Sequence, residues 1–490
     1  MKSEQGFPAE KKLGPQFQAM MIDEAPHYAN RIFYSLGFLA AISFVLLILT
    51  GVVEIFFGAN WWLTVPAGIY FRSVHMWATQ AFVIFMLLHL VVVFCTQGYR
   101  GPRKYTWILG VLMFSIALIE SEMGYALRGD FSTQWRALQG ADFFNGAGLG
   151  WWINPLNELK IMGTHIAVVP LIIFAILVGH YLLVKFLGLA TPPKADHPYR
   201  IEKANHTMLF LRGGAAAVLI LLLAVFLPSP YVKAVTLQEV AKDDPALFGR
   251  TLAGEFGRLN EIVVPGQKAD VKEEDLEKQA LTSGYLDNIQ PYTFDTRKIY
   301  VDDPWSHYAA SGKATPDLAA LEKLSDDQEK KLTADAVDFF GDNKGGIKAA
   351  DNGLVQVVQQ LTALAAAGYY DQALKGAGET GDNTYHLRLL ADLGVLADKA
   401  DKLDMTTEKY GMVREEAPGL PGAWWLVPIG VLNHTVLATD DNGDRDGALI
   451  LGVLVLILFA VPFIPGLNRL PVTLGLYKLF QRKPKDGGEA

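Results

Sequence analysis

The chain has 490 residues, of which 51% are hydrophobic and 19% charged, with a formal net charge of −8 and a mean hydropathy of +0.21. It is too apolar for an ordinary soluble enzyme and too rich in charge for a bare bundle of membrane helices, so composition points to a membrane protein with a sizeable water-exposed section. The single cysteine, Cys95, excludes an internal disulfide and any CxxCH attachment of a c-type haem in this chain.

Residues 1–30 are polar and charged and are expected to form a surface segment. The apolar run Ile32 to Phe57 follows, too long for a cleaved secretory signal and lacking a small-residue cleavage site. It predicts a first membrane helix, with Gly37 and Gly51 fourteen residues apart. A second run, about Val74 to Cys95, holds His75 and His89, again fourteen apart. A third, about Thr106 to Met123, is bracketed by another glycine pair at that interval, Gly110 and Gly124. A fourth, about Met162 to Leu187, holds His165 and His180, fifteen apart. A fifth, about Thr207 to Leu227, and a last, Gly447 to Ile464, complete the apolar runs.

Fourteen helical residues rise about 21 Å and make nearly four turns, so His75 and His89 share one face at two membrane depths. His165 and His180 do almost the same on an antiparallel helix. The four would meet as two facing His/His couples, each with the geometry of a bis-imidazole haem. A lone histidine in a membrane helix is more often an interhelical hydrogen-bonding group than a ligand. Two pairs of matching spacing favour ligation, and the glycines add to it. Glycine weakens a helix and suits a place where something bulky must approach the backbone. Two flat macrocycles stacked at the histidine interval would be such a thing.

Basic residues set an orientation. Arg100, Arg103 and Lys104 follow the second run; Lys194, Arg200 and Lys203 follow the fourth; Arg469, Lys478, Arg482, Lys483 and Lys485 follow the last. The positive-inside bias places these, and both termini, in the cytoplasm. His75 and His165 then lie nearer the outer surface, His89 and His180 nearer the cytoplasm. The section from Tyr231 to Asp446 falls on the outer side. It is rich in Asp, Glu, Lys and Ala, with helical stretches at 324–340 and 353–375, and is expected to be mostly helical. Its histidines, His307, His386 and His434, have no metal-ligand spacing and suit ordinary surface or core roles.

The run RSVHMW at 72–77, the two histidine pairs, GPRKYTWILG at 101–110, MGY at 123–125 and Pro170 together resemble the N-terminal four-helix, two-haem core of the cytochrome b family. The resemblance covers about residues 30–190 and is closer to the chloroplast-type cytochrome bf form than to the mitochondrial cytochrome bc form. It implies a quinol–cytochrome c type electron-transfer subunit with haem pairs His75/His165 and His89/His180, and Arg72 on a propionate of the outer haem. The segment GAWWLVPI at 422–429, leading into the last apolar run, resembles more weakly the family segment that begins Pro-Glu-Trp-Tyr.

Departures are specific. Gly422 and Ala423 stand where the family has Pro and a Glu that helps remove protons from quinol, and a methyl group cannot accept a proton. Leu127-Arg128-Gly129 replaces Leu-Pro-Trp, the connection after the third helix looks shortened, and Asp130, Asp142 and Glu158 are the carboxylates that remain as substitutes. Ser35 stands where chloroplast-type relatives have a cysteine anchoring a further haem, so no covalent third haem is expected.

The expected molecule is an all-α membrane protein with a four-helix di-haem bundle, about two further transmembrane helices and a mostly helical soluble domain. Its parts are a cytoplasmic segment (1–30), the di-haem core (31–195), a fifth helix (196–230), the outer soluble domain (231–446), and a last membrane helix with a basic tail (447–490). The cofactor set is two b-type haems held by His75, His165, His89 and His180, with Arg72, Gly37, Gly51, Gly110 and Gly124 in the binding site. Quinone, c-type cytochrome or iron–sulfur subunits, the bilayer and a second copy of the chain are the expected partners, and nucleic acid is not. Two other readings stand beside this one: a structural or assembly subunit that turns nothing over, and a transporter with polar intramembrane histidines.

Overall fold

The computed structural model describes residues 22–146, 152–190, 201–257, 295–310, 323–375, 380–406, 422–439 and 443–481, with the single residues 149, 193, 321 and 377. Most of the N-terminal segment, and the basic residues Lys194, Arg200, Arg482, Lys483 and Lys485, lie outside the described residues.

Among the described residues, five helices are long and apolar enough to cross a bilayer. These are α1 (Leu36–Thr64), α2 (Pro66–Cys95), α3 (Lys104–Tyr125), α5 (Glu158–Leu187) and α6 (His206–Phe226). The helix α4 (Phe131–Gly146) lies between α3 and α5. Each long helix takes up one predicted run. Helix α2 starts earlier than expected because Pro66 supplies a first turn in which its missing N–H is no loss. Helix α1 is broken at Gly58, whose φ of 74° is open to glycine and strained for other residues. A short antiparallel pair, β1 (Glu24–Pro26) with β2 (Ile201–Lys203), ties the segment leading into α1 to the one leading into α6.

Within the bundle α1 runs along α2, α6 packs on both, and α3 packs on α5. Phe44 stacks on Phe82 across the α1/α2 seam with centroids 5.5 Å apart, a contact worth about 1 kcal/mol beyond its buried area. Gly213 lets α6 close on α1, since a Cβ there would meet the Phe38 ring at 2.7 Å. The outward faces carry Leu171, Phe186 and Phe226 at 67%, 74% and 74% exposure. So much bare apolar surface suits hydrocarbon rather than water.

After the membrane helices come the short helices α7 (Leu237–Asp243), α8 (Pro245–Phe256), α9 (Asp303–Ala309), α10 (Asp326–Phe340), α11 (Gly353–Ala366), α12 (Tyr369–Leu374), α13 (Thr384–Asp392) and α14 (Val395–Lys402). Their shared core includes Phe248, Trp305, Leu361 and Leu390, and also Phe131, Leu138 and Leu156 from the α3/α5 connection. Backbone bonds fix the two parts: Phe131 donates to Val232, Glu158 to Gly381 and Asn383 to Leu156. The connection that reads as shortened therefore contains a helix whose apolar side belongs to this helical core.

The chain returns to the membrane helices through α15 (Val427–His434) and the 18-residue α16 (Gly443–Ala460). The apolar part of α16, Asp446–Ala460, is shorter than the five long helices. It packs on α3 and α4, and its Leu458 carbonyl accepts from the Trp107 indole at 2.8 Å.

Candidate functional site

The four histidines meet in two couples. His75 of α2 faces His165 of α5 with ring centroids 6.3 Å apart, and His89 faces His180 at 6.5 Å. Two trans imidazoles, each about 2 Å from a shared metal, place their ring centres about 6 Å apart, so both couples have room for one metal between them. Among the described residues no group of three or more His, Cys, Asp or Glu side chains is placed to hold a metal ion. A metal at either couple would need its other ligands from elsewhere, as the four nitrogens of a macrocycle supply.

The glycines sit opposite the rings. A Cβ on Gly51 would lie 3.4 Å from the His75 ring, on Gly124 3.1 Å from His165, on Gly37 3.3 Å from His89, and on Gly110 3.3 Å from His180. Each couple is thus flanked by one glycine of α1 and one of α3. Around His89 and His180 lies a small, mostly apolar cavity lined by Gly37, Phe44, Phe82, Met86 and Leu177. An apolar chamber carrying two imidazoles fits a haem better than a hydrated ion.

Local structure aims the rings. In α5 the turn Thr164–Val168 is a π-helix, and His165 sits in it. Pro170 has no N–H to give the Ile166 carbonyl, so the α-helical ladder is interrupted there. A π-turn absorbs one extra residue. The fifteen-residue interval of α5 thereby presents its histidines as the fourteen-residue interval of α2 does. On the partner ring, Thr50 Oγ1 lies 2.8 Å from the Leu46 carbonyl and 2.8 Å from His75 Nδ1. The hydroxyl has one proton, which the carbonyl takes, so it accepts from Nδ1–H and leaves the Nε2 lone pair for a metal.

Carboxylates near this couple were not picked out from the sequence. Glu120 Oε1 lies 3.0 Å from His165 Nδ1, a close contact rather than a straight hydrogen bond, and Glu54 of α1 lies within electrostatic reach of the same ring. The available signal was charge inside an apolar run, which is rarely idle in a membrane.

At the same end, Arg72 is 6% exposed and donates from Nη2 to the Ser229 and Pro230 carbonyls at 2.9 and 3.3 Å. Arg128 donates to Asp130 at 2.8 Å and to the same Pro230 carbonyl at 2.6 Å. Gly129, with φ of 76°, turns the chain from α3 toward α4. Ala423 is fully buried. Its neighbours anchor the segment to the bundle: Gln80 donates to the Gly422 carbonyl, Trp424 to Gln80, and Trp425 to Glu122 at 2.9 Å. The other Glu122 oxygen pairs with Arg136 at 3.0 Å.

Of the substitute carboxylates named from the sequence, Asp130 is buried against Arg128 and Glu158 is exposed. The Asp142 side chain lies outside the described residues. Ser35 accepts a hydrogen bond from Arg212 at 2.8 Å. In the helical domain, His386 is buried on Asp371 at 2.9 Å and His307 bonds the Asp303 carbonyl, both ordinary structural roles.

Residues 80–235 match a family model described as cytochrome b(N-terminal)/b6/petB. Over 192 residues the chain is 26% identical to cytochrome b6 of Heliobacterium modesticaldum, covering 34% of this chain and 89% of that protein. It is 28% identical over 192 residues to cytochrome b6 of Tupiella akineta, covering 34% and 87%. A solved structure titled Hyperthermophilic respiratory Complex III aligns with 90% of this chain and 93% of its own, at 14% identity and a TM-score of 0.36.

Proposed function

We propose that this chain, a member of the cytochrome b family, is a di-haem b-type electron-transfer subunit that carries electrons across the bilayer between quinone and a redox partner. The observation that carries the reading is the pair of histidine couples, each with a glycine of α1 and a glycine of α3 against its rings.

Haem bound at each couple supplies one-electron redox chemistry. His75 and His165 would hold the iron of one, His89 and His180 that of the other. Thr50 keeps the His75 proton on Nδ1, and the apolar wall of the second chamber keeps water out. Arg72 would meet a propionate of the first haem, a buried cation near an anion. The positive-inside bias of the basic residues supports a His75/His165 haem near the outer surface and both termini in the cytoplasm. Partner subunits bearing c-type haem or iron–sulfur centres complete the complex, and the family resemblance supports a dimer.

The outer face is proposed not to run conventional bifurcated quinol oxidation. Two electrons leave quinol only as two protons find acceptors, and position 423 offers a methyl group. Glu122, which meets that segment, already holds the Trp425 indole and the Arg136 guanidinium. Arg128 cannot replace a base, since a guanidinium stays protonated. The test gives the purified complex quinol together with an inhibitor of the inner site. The expected outcome is no coupled reduction of a b haem and a high-potential partner through the outer face; such coupled reduction would overturn this part of the reading.

A further inference from the structure

Helix α3 carries two carboxylates where Ile, Leu, Ala and Met would otherwise continue. Glu122 is accounted for by Trp425 and Arg136. Glu120 is not. It stands one turn before Gly124, whose missing side chain makes room for the His165 ring. Its side chain is 14% exposed, and its Oε1 is 3.0 Å from Nδ1 of that ring. Placing a carboxylate at membrane depth is expensive, and its position against one particular nitrogen asks for a reason.

The reason lies in what the second nitrogen of a ligating imidazole does. A histidine bound to iron through Nε2 keeps its proton on Nδ1. A carboxylate beside that proton fixes the ring and pushes electron density toward Nε2, and a more basic ligand favours the oxidised metal. Among the described residues the other three histidines have no carboxylate in such contact. His75 has the neutral Thr50 hydroxyl. Among the described residues, no ion pair is made by His89 or His180. One of four otherwise matched imidazoles therefore has an anionic neighbour in contact.

We propose that Glu120 is a positioning residue for the His75/His165 haem: through Nδ1 of His165 it orients the ring and holds that haem's reduction potential below the value a neutral partner would give. This deepens the di-haem reading and rests on it.

The test is a spectroelectrochemical titration at fixed pH of the purified haem-loaded chain, wild type against Glu120→Gln and Glu120→Asp, with low-temperature EPR of the oxidised haems. Glu120→Gln keeps an acceptor and loses the charge. It is expected to retain two haems, raise the midpoint of the His75/His165 haem, shift that haem's EPR signal and leave the His89/His180 haem unmoved, with Glu120→Asp falling between. An unmoved midpoint, an equal shift of both haems, or loss of the first haem from both variants would overturn the proposal. Failure of the underlying assignment looks different: a His165→Ala chain that keeps both haems would remove the ligand itself from the argument.

Discussion

At the residue scale, the proposed site rests on four glycines and four histidines, and the glycines are the more exacting test of it. A valine at Gly124 would put its branched carbon into the His165 ring, already 3.1 Å from a modest Cβ. Neither backbone can yield without moving a helix. Gly124→Val is expected to lower occupancy of the His75/His165 haem by about tenfold or more, which is about 1.4 kcal/mol, and to spare the other haem. Haem content and the two midpoints of the purified variant check this; equal loss of both haems would mean general misfolding instead. The histidines and glycines were legible because polar residues are rare in membrane helices and because both residue types recur at one shared interval. Thr50, Glu54 and Glu120 were not, because one hydroxyl or carboxylate in an apolar run has no periodic partner to mark it. Their meaning comes from distances to rings on other helices.

At the element scale, the π-turn Thr164–Val168 reconciles two different histidine intervals. If that is its role, deleting Val168 should remove the extra residue of the π-turn, leave α5 with a fourteen-residue interval and only the proline's missing hydrogen bond, and keep both haems. Inserting one alanine between Val83 and Ile84 in α2 should rotate His75 and His89 by about 100° relative to each other and lose one haem. Pyridine haemochrome assays on the two variants decide it; two haems after the insertion would show that the spacing is not what matters. From sequence, fifteen against fourteen reads as near agreement, and only the backbone reveals where the extra residue goes. Helix positions were readable from hydropathy, whereas the early start of α2 and the break at Gly58 depend on proline and glycine chemistry at the ends.

At the scale of the whole molecule, the five long helices and the helical domain share one chain through α4, whose apolar side lies in the domain's core. That union was not legible. Phe131 and Leu138 lie more than a hundred residues from Leu252 and Leu361, and no local pattern reports which distant surface an amphipathic helix will meet. The basic turns predict the orientation independently. Protease added from outside is expected to cut within 231–446 while leaving Arg100 to Lys104 intact; cleavage at that turn would invert the membrane topology and exchange the outer and inner haems.

The central claim is that one chain holds two b-type haems, each between one histidine of α2 and one of α5. It is tested most directly by counting haems per purified chain in wild type and in His89→Ala. The account predicts two falling to one, with the His75/His165 haem retained at its own midpoint potential. Two haems still bound in His89→Ala would contradict it.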